Sequence, residues 1–177
     1  MKRVIRKATR EDAARLAEIK IASWRKAYAG IVPEFYLANL DKQEFTADYL
    51  EIITLAEESI DILICRGEII GFITTGPAQE SDCLETTAEI KGQYLLPEYW
   101  SQGLGRELFF HGLDVVKAQG FKRAILYVLQ KNTRSRKFYE SAGFVFLGHR
   151  KIYNLGRELT ALRYGKEFEV ITPGLGR

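Results

Sequence analysis

The sequence has few of the residues that specialised architectures require. Only two cysteines, Cys65 and Cys83, occur in 177 residues. Two cysteines cannot build a disulfide framework, and no C-x-x-C spacing offers a zinc site. The two histidines, His111 and His149, lie far apart, which argues against a His-based metal centre. No metal is therefore expected. No apolar run approaches the roughly 20 residues that span a bilayer, so no membrane part is expected. Residues 1–12, MKRVIRKATRED, are charged and lack the apolar core of a secretory signal. The expected location is the cytoplasm.

What is present fits one medium globular domain. The chain is 46% hydrophobic and 28% charged, which supports a buried core under a polar surface. Net charge is +3 but unevenly divided. Residues 1–90 carry 11 Lys and Arg against 16 Asp and Glu, a balance of −5. Residues 91–177 carry 15 against 7, a balance of +8. One reading is chance, since charge divided in sequence need not be divided in space. The other is a basic half for an anionic ligand and an acidic half for a cationic one. Nucleic acid is not the expected partner, because the basic residues are not interleaved with stacking aromatics or a reader motif.

Taken in order, residues 4–8 alternate and read as a strand. Thr9 and Asp12 then form a capping-box signal. The helix that follows carries Ala13, Ala17, Ile21, Trp24 and Tyr28 at helical spacing. Gly30 and Pro33 separate it from a short helix ending near Leu37, and Asp41 caps another running to about Leu55. SIDILIC and EIIGFITT are joined by Arg66-Gly67 and read as a hairpin. A strand over 87–96, a helix over 105–119, a strand over 123–129, a helix over 133–142 and a closing hairpin over 144–168 complete the pattern. Strand–helix–strand near the centre requires a parallel pair, and the hairpins require antiparallel neighbours. The fold class is α/β with a mixed sheet.

The most informative stretch is YLLPEYWSQGLGREL, residues 94–108. A strand end leads through a proline and a two-glycine loop into a helix. Backbone N–H groups at such a junction have no partners, and the helix dipole favours negative charge, so the junction suits a phosphate. A Walker loop needs G-x-x-x-x-G-K-[ST], which is absent. A dinucleotide fingerprint needs a third glycine, and GLGREL lacks it. An acyl-coenzyme A pyrophosphate loop is left.

In this stretch the chain resembles the GNAT superfamily of N-acetyltransferases, whose signature is R/Q-x-x-G-x-G/A after a strand. Here the string is Trp100-Ser101-Gln102-Gly103-Leu104-Gly105, with tryptophan in the R/Q place. A second matching feature lies downstream: the strand ending at Leu129, Asn132, then Phe138-Tyr139-Glu140 and Gly143-Phe144. The resemblance implies one domain over 3–167, with residues 168–177 as a short mobile tail. It implies a mostly antiparallel sheet of about seven strands, splayed around the cofactor between its fourth and fifth strands, with helices on both faces.

The resemblance also implies roles. Acetyl-CoA is the implied cofactor. Its pyrophosphate should meet the backbone of Trp100, Ser101, Gln102, Gly103, Leu104, Gly105 and Arg106. The main chain of Leu95 and Leu96 should pair with the pantetheine in the manner of an added strand, and a backbone N–H near Leu95 should hold the oxyanion. Asn132 should touch the pantetheine arm, and Arg136, with Arg134 and Lys137, lies where a 3′-phosphate would be. Glu89, on the strand feeding the loop, is the implied general base. Tyr139 is the implied acid for the thiolate. Trp24, Tyr28 and Tyr36, with Phe35, resemble an acceptor border. The expected reaction is direct acetyl transfer in a ternary complex to a primary amine, with a small cationic amine or polyamine favoured and a peptide amine as the other class. A non-catalytic acyl-CoA sensor is the competing function. A monomer and a homodimer are equally compatible with the sequence.

Overall fold

The structure, a computed structural model, describes residues 3–168. In chain order the strands are β1 Arg3–Lys7, β2 Ser59–Cys65, β3 Glu68–Pro77, β4 Thr87–Leu95, β5 Arg123–Leu129, β6 Val145–Asn154 and β7 Glu158–Glu167. The helices are α1 Ala13–Ala27, α2 Glu34–Ala38, α3 Lys42–Leu55, α4 Leu104–Ala118 and α5 Thr133–Ser141. Local signals account for the boundaries. The Thr9 N–H donates to the Asp12 carboxylate at 2.8 Å, closing a single tight turn ahead of α1. Asp41 caps α3 by accepting from the Gln43 N–H at 2.6 Å. Arg66 and Gly67 both have positive φ, 53° and 85°, as a two-residue hairpin turn requires.

The seven strands form one sheet in the order β1-β2-β3-β4-β5-β7-β6. Every pairing is antiparallel except β4 with β5. That parallel pairing spans only Thr87–Arg123, Ala88–Ala124 and Glu89–Ile125. Beyond Glu89 the two strands part, so the expected splay lies where the resemblance implied it.

Strand alternation sends neighbouring residues of β3 to opposite faces. Phe72 meets Tyr49 of α3 and Tyr94 on one face. Ile73, on the other, lies where α4 passes so closely that Gly112 is the residue that fits. Helices therefore cover both faces. The core between them includes Leu16 and Ile19 of α1, Ile62, Phe72 and Ile73 of the sheet, and Leu108, Phe109 and Leu113 of α4, none more than 0% exposed.

The charge division of the sequence is only partly a division in space: β1–β3 come from the acidic half and β5–β7 from the basic half, while β4 spans the boundary. Among the described residues, no helix is long and apolar enough to cross a membrane. Of the expected tail, Phe168 is tied down, its N–H donating to the Lys122 carbonyl at 2.8 Å. Residues 169–177 lie outside the described residues.

Candidate active site

The gap between β4 and β5 opens into a cavity of about 710 Å³. The glycine loop closes one end. Ser101 and Gly103 take positive φ, 61° and 81°, and α4 begins immediately after. The first bond at the start of α4 runs from the Glu107 N–H to the Gly103 carbonyl at 3.0 Å. Among the described residues, no acceptor takes the N–H groups of residues 101–106. Consecutive unbonded donors at a helix N-terminus form an anion cradle. Arg106 and Arg134 bring guanidinium groups to the same end of the cavity.

Trp100 braces this loop. Its indole Nε1 donates to the Leu95 carbonyl at 2.7 Å, and the Arg134 guanidinium lies 4.3 Å from its ring centre. Arg134 also reaches the Ser101 hydroxyl at 3.3 Å. The Gln93 amide donates to the Gly105 carbonyl at 2.5 Å, fixing the helix start to β4.

Leu95 and Leu96 have different roles. The Leu96 N–H donates to Ile70 at 2.8 Å, and its carbonyl accepts from Tyr99 at 3.0 Å. Leu96 therefore has no main-chain N–H left for a ligand, contrary to expectation, and it lies outside the cavity lining. In an antiparallel ladder the next residue turns its main chain the other way. Leu95 thus directs its N–H towards the gap.

Gln102 and Leu104 offer the cradle only their main chain. The Gln102 side chain is exposed and bonds back to the Glu98 carbonyl at 2.9 Å. The Leu104 side chain is buried in the core at 5% exposure. One expected side-chain contact falls outside the cavity. Arg136 is occupied by the Tyr164 hydroxyl at 3.0 Å and the Gln130 carbonyl at 3.2 Å. Arg134, two residues earlier, is the cation of α5 that reaches the cavity. Tyr36 also falls away: it packs in a small cluster with Val32 and Leu37, against the turn at Gly156.

The remaining predicted residues converge. Asn132 caps α5, its side-chain oxygen accepting from the Ser135 N–H at 3.1 Å, and it lines the cavity beside Tyr28. Tyr139 is held by Phe109, Phe138 and Phe144, with ring centres at 5.4, 5.4 and 6.5 Å. Burial, then the nearby phenols, push the Tyr28 and Tyr139 hydroxyls above their ordinary range, so both keep their protons at neutral pH. Trp24 packs edge-on against Tyr28 at 5.0 Å, its ring nitrogen near the Tyr94 hydroxyl at a geometry short of a hydrogen bond.

Glu89 lies where the strands part, with its side chain 17% exposed. Burial raises its pKa, and the Lys91 ammonium at 3.6 Å opposes that rise. Tyr127 of β5 and Tyr153 of β6 line the same end, and sequence reasoning had not singled them out. The strand alternation of RAILYVL was the available signal, since it sets a phenol on the face opposite the core.

The acidic loop between β3 and β4 is neutralised from the far side of the sheet. Glu80 pairs with Lys151 at 3.0 Å. Asp82 receives both terminal nitrogens of the buried Arg163 guanidinium, at 2.7 and 2.5 Å. Glu89 is the cavity's own carboxylate.

Known proteins match this arrangement. Residues 3–144 match the acetyltransferase (GNAT) family. The spermidine N(1)-acetyltransferase of Thermoplasma acidophilum is 30% identical over 145 residues, covering 79% of this chain and 86% of that protein. The uncharacterized N-acetyltransferase YuaI of Bacillus subtilis is 30% identical over 141 residues, 77% of each chain. The crystal structure of the PaiA N-acetyltransferase from Thermoplasma acidophilum in complex with coenzyme A superposes with a TM-score of 0.79 at 25% identity, over 95% of this chain and 100% of that one. With the loop, the splay and the downstream tyrosine all in register, the chain belongs to the acetyltransferase (GNAT) family, an N-acetyltransferase of a family whose acyl donor is acetyl-CoA.

Proposed function

We propose that this N-acetyltransferase moves an acetyl group directly to a primary amine, with donor and acceptor bound together. The observation that carries this reading is the shared cavity. One space is lined by a partly buried carboxylate, a protonated phenol and an unbonded row of backbone donors.

Acetyl-CoA supplies an acyl thioester, whose acetyl carbon passes to the amine nitrogen as the thiol leaves. The N–H groups of residues 101–106, with Arg106 and Arg134, suit its phosphates. The Leu95 N–H faces the gap and serves the developing oxyanion. Glu89 Oε takes a proton from the ammonium or from the attacking nitrogen, which must be neutral to react. The Tyr139 hydroxyl gives its proton to the departing sulfur. No protein side chain is acylated, so Cys65 and Cys83 have no role in the chemistry.

The acceptor we favour is a small cationic amine, with polyamines first to be tested and a peptide amine as the other class. The relative named for spermidine supports that order, and so does the single partly buried carboxylate at the aromatic end of the cavity.

Release of thiol from acetyl-CoA across a panel of amines and peptides tests the reading. Glu89→Gln and Tyr139→Phe should each lower kcat by about 10²–10⁴ while CoA affinity is nearly kept. Binding of CoA with no turnover on any amine would favour a sensor instead.

A further inference from the structure

Glu89 does not stand alone at the bottom of the gap. Lys91 of β4 places its ammonium 3.6 Å from the Glu89 carboxylate and 3.2 Å from that of Glu58, which precedes β2. All three side chains are less than one-fifth exposed, at 17%, 19% and 18% for Glu89, Lys91 and Glu58. The backbone is shaped for this chain of charges in two places. Lys91 is the extra residue of a β-bulge, between Ile90 opposite Thr75 and Gly92 opposite Thr74. A bulge re-aims the side chain it carries. On the neighbouring strand, the residue opposite Glu89 is Gly76. A methyl group there would lie 3.0 Å from Glu58 Cγ, so the missing side chain is the space through which Glu58 reaches Lys91.

The other charges around Glu89 largely cancel. Glu80, from the loop before β4, and Lys151, from β6, both act on Glu89, but they are paired with each other at 3.0 Å. Tyr153 of β6 is the remaining titratable neighbour, and its hydroxyl is neutral at working pH. Among the described residues, Lys91 is the cation at ion-pair distance from Glu89.

We propose that Lys91 is a positioning residue for acetyl transfer. It supplies the positive charge that lets a partly buried Glu89 accept a proton, and Glu58 limits that charge by competing for it. Without Lys91, burial would favour the neutral acid, which accepts no proton. Without Glu58, Lys91 would close on Glu89 and hold the carboxylate too firmly for an incoming ammonium to displace it. The three groups together carry one net negative charge, which matches an acceptor that presents a single ammonium at this point. The inference rests on Glu89 being the proton acceptor proposed above.

The test follows the Glu89 carboxyl directly, by ¹³C NMR titration of glutamate-labelled protein, with the Glu89→Gln spectrum for assignment. Lys91→Met should move the Glu89 titration up by about one to two pH units. Lys91→Arg should leave it near the wild-type position, and Glu58→Gln should move it down. The acidic limb of kcat/KM, measured with the best amine of the panel, should follow in the same directions. A merely structural role would lower activity in all three variants without opposite shifts. An unmoved Glu89 titration in Lys91→Met overturns the proposal. Full turnover in Glu89→Gln would instead overturn the general-base reading, and the carboxyl titration would still report on Lys91.

Discussion

The Trp100 indole is tied to the Leu95 carbonyl at 2.7 Å, joining the glycine loop to the strand end beside it. The family pattern has a polar side chain in this place. Here an aromatic ring does structural duty, and Arg134 rests on its face at 4.3 Å. Trp100→Phe keeps the face and deletes the bond. A hydrogen bond of this kind is worth roughly 0.5–1.5 kcal/mol. The Kd for CoA, measured by calorimetric titration, should rise by up to about tenfold. An unchanged Kd would mean the loop is braced elsewhere.

Tyr139 owes its position to Phe109, which is fully buried and touches Phe138, Tyr139 and Phe144. Phe109→Ala should cost about 3–5 kcal/mol in denaturant unfolding, because α4 and the sheet cannot collapse onto the space. At temperatures where the variant stays folded, kcat should drop more than CoA affinity, since the phenol loses its backing.

The Asp82–Arg163 pair makes stability depend on acid pH. The Arg163 guanidinium holds the Asp82 carboxyl at about 2, below its ordinary 3.8. A depressed carboxylate stabilises the folded state above its unfolded value and loses that contribution as pH falls through the folded one. Asp82→Asn should therefore melt below the wild type at pH 7. The difference should shrink as pH falls from about 4 towards about 2. A difference that persists unchanged at pH 2 would point to shape rather than charge.

Glu89 has the opposite sign. Burial raises its folded pKa, so its ionised form opposes folding at neutral pH and the opposition disappears in acid. Glu89→Gln should therefore raise the Tm at pH 7. Scanning calorimetry at pH 7 and pH 4 should find the gain at the first and little of it at the second. A stability cost of this sign is what the proton-acceptor role proposed for Glu89 would carry.

The parts of the site legible in the sequence were those whose requirements are local. The glycine loop depends on backbone freedom within a few residues, and Tyr139 and Asn132 are fixed by a short helix with clear ends. The parts that were not legible depend on distant partners. Leu96 is removed from the site by Ile70, which lies on another strand. Arg136 and Arg134 look interchangeable on α5 until Tyr164 and Gln130 claim the first. Tyr36 groups with Trp24 and Tyr28 in the sequence as an acceptor border but packs against Gly156. The acidic half reads as a surface for cations, yet its Glu80 and Asp82 are neutralised by Lys151 and Arg163 of the closing hairpin. Lys91 passed for an ordinary strand residue because a bulge is set by the partner strand. The fold itself was legible almost throughout, since periodicity and turn residues are local signals.

The sheet's halves share rungs only from Thr87 to Glu89, and above that point each has a bare margin. Unpaired strand margins normally invite foreign strands and aggregation, and proteins blunt them with charge or cover. Here the margin faces inward, onto the gap, and Trp100 covers part of it by donating to the Leu95 carbonyl. A backbone edge turned inward meets a neighbouring copy less readily than an outer edge strand does, so the fork that opens the cavity also shields the strands that line it.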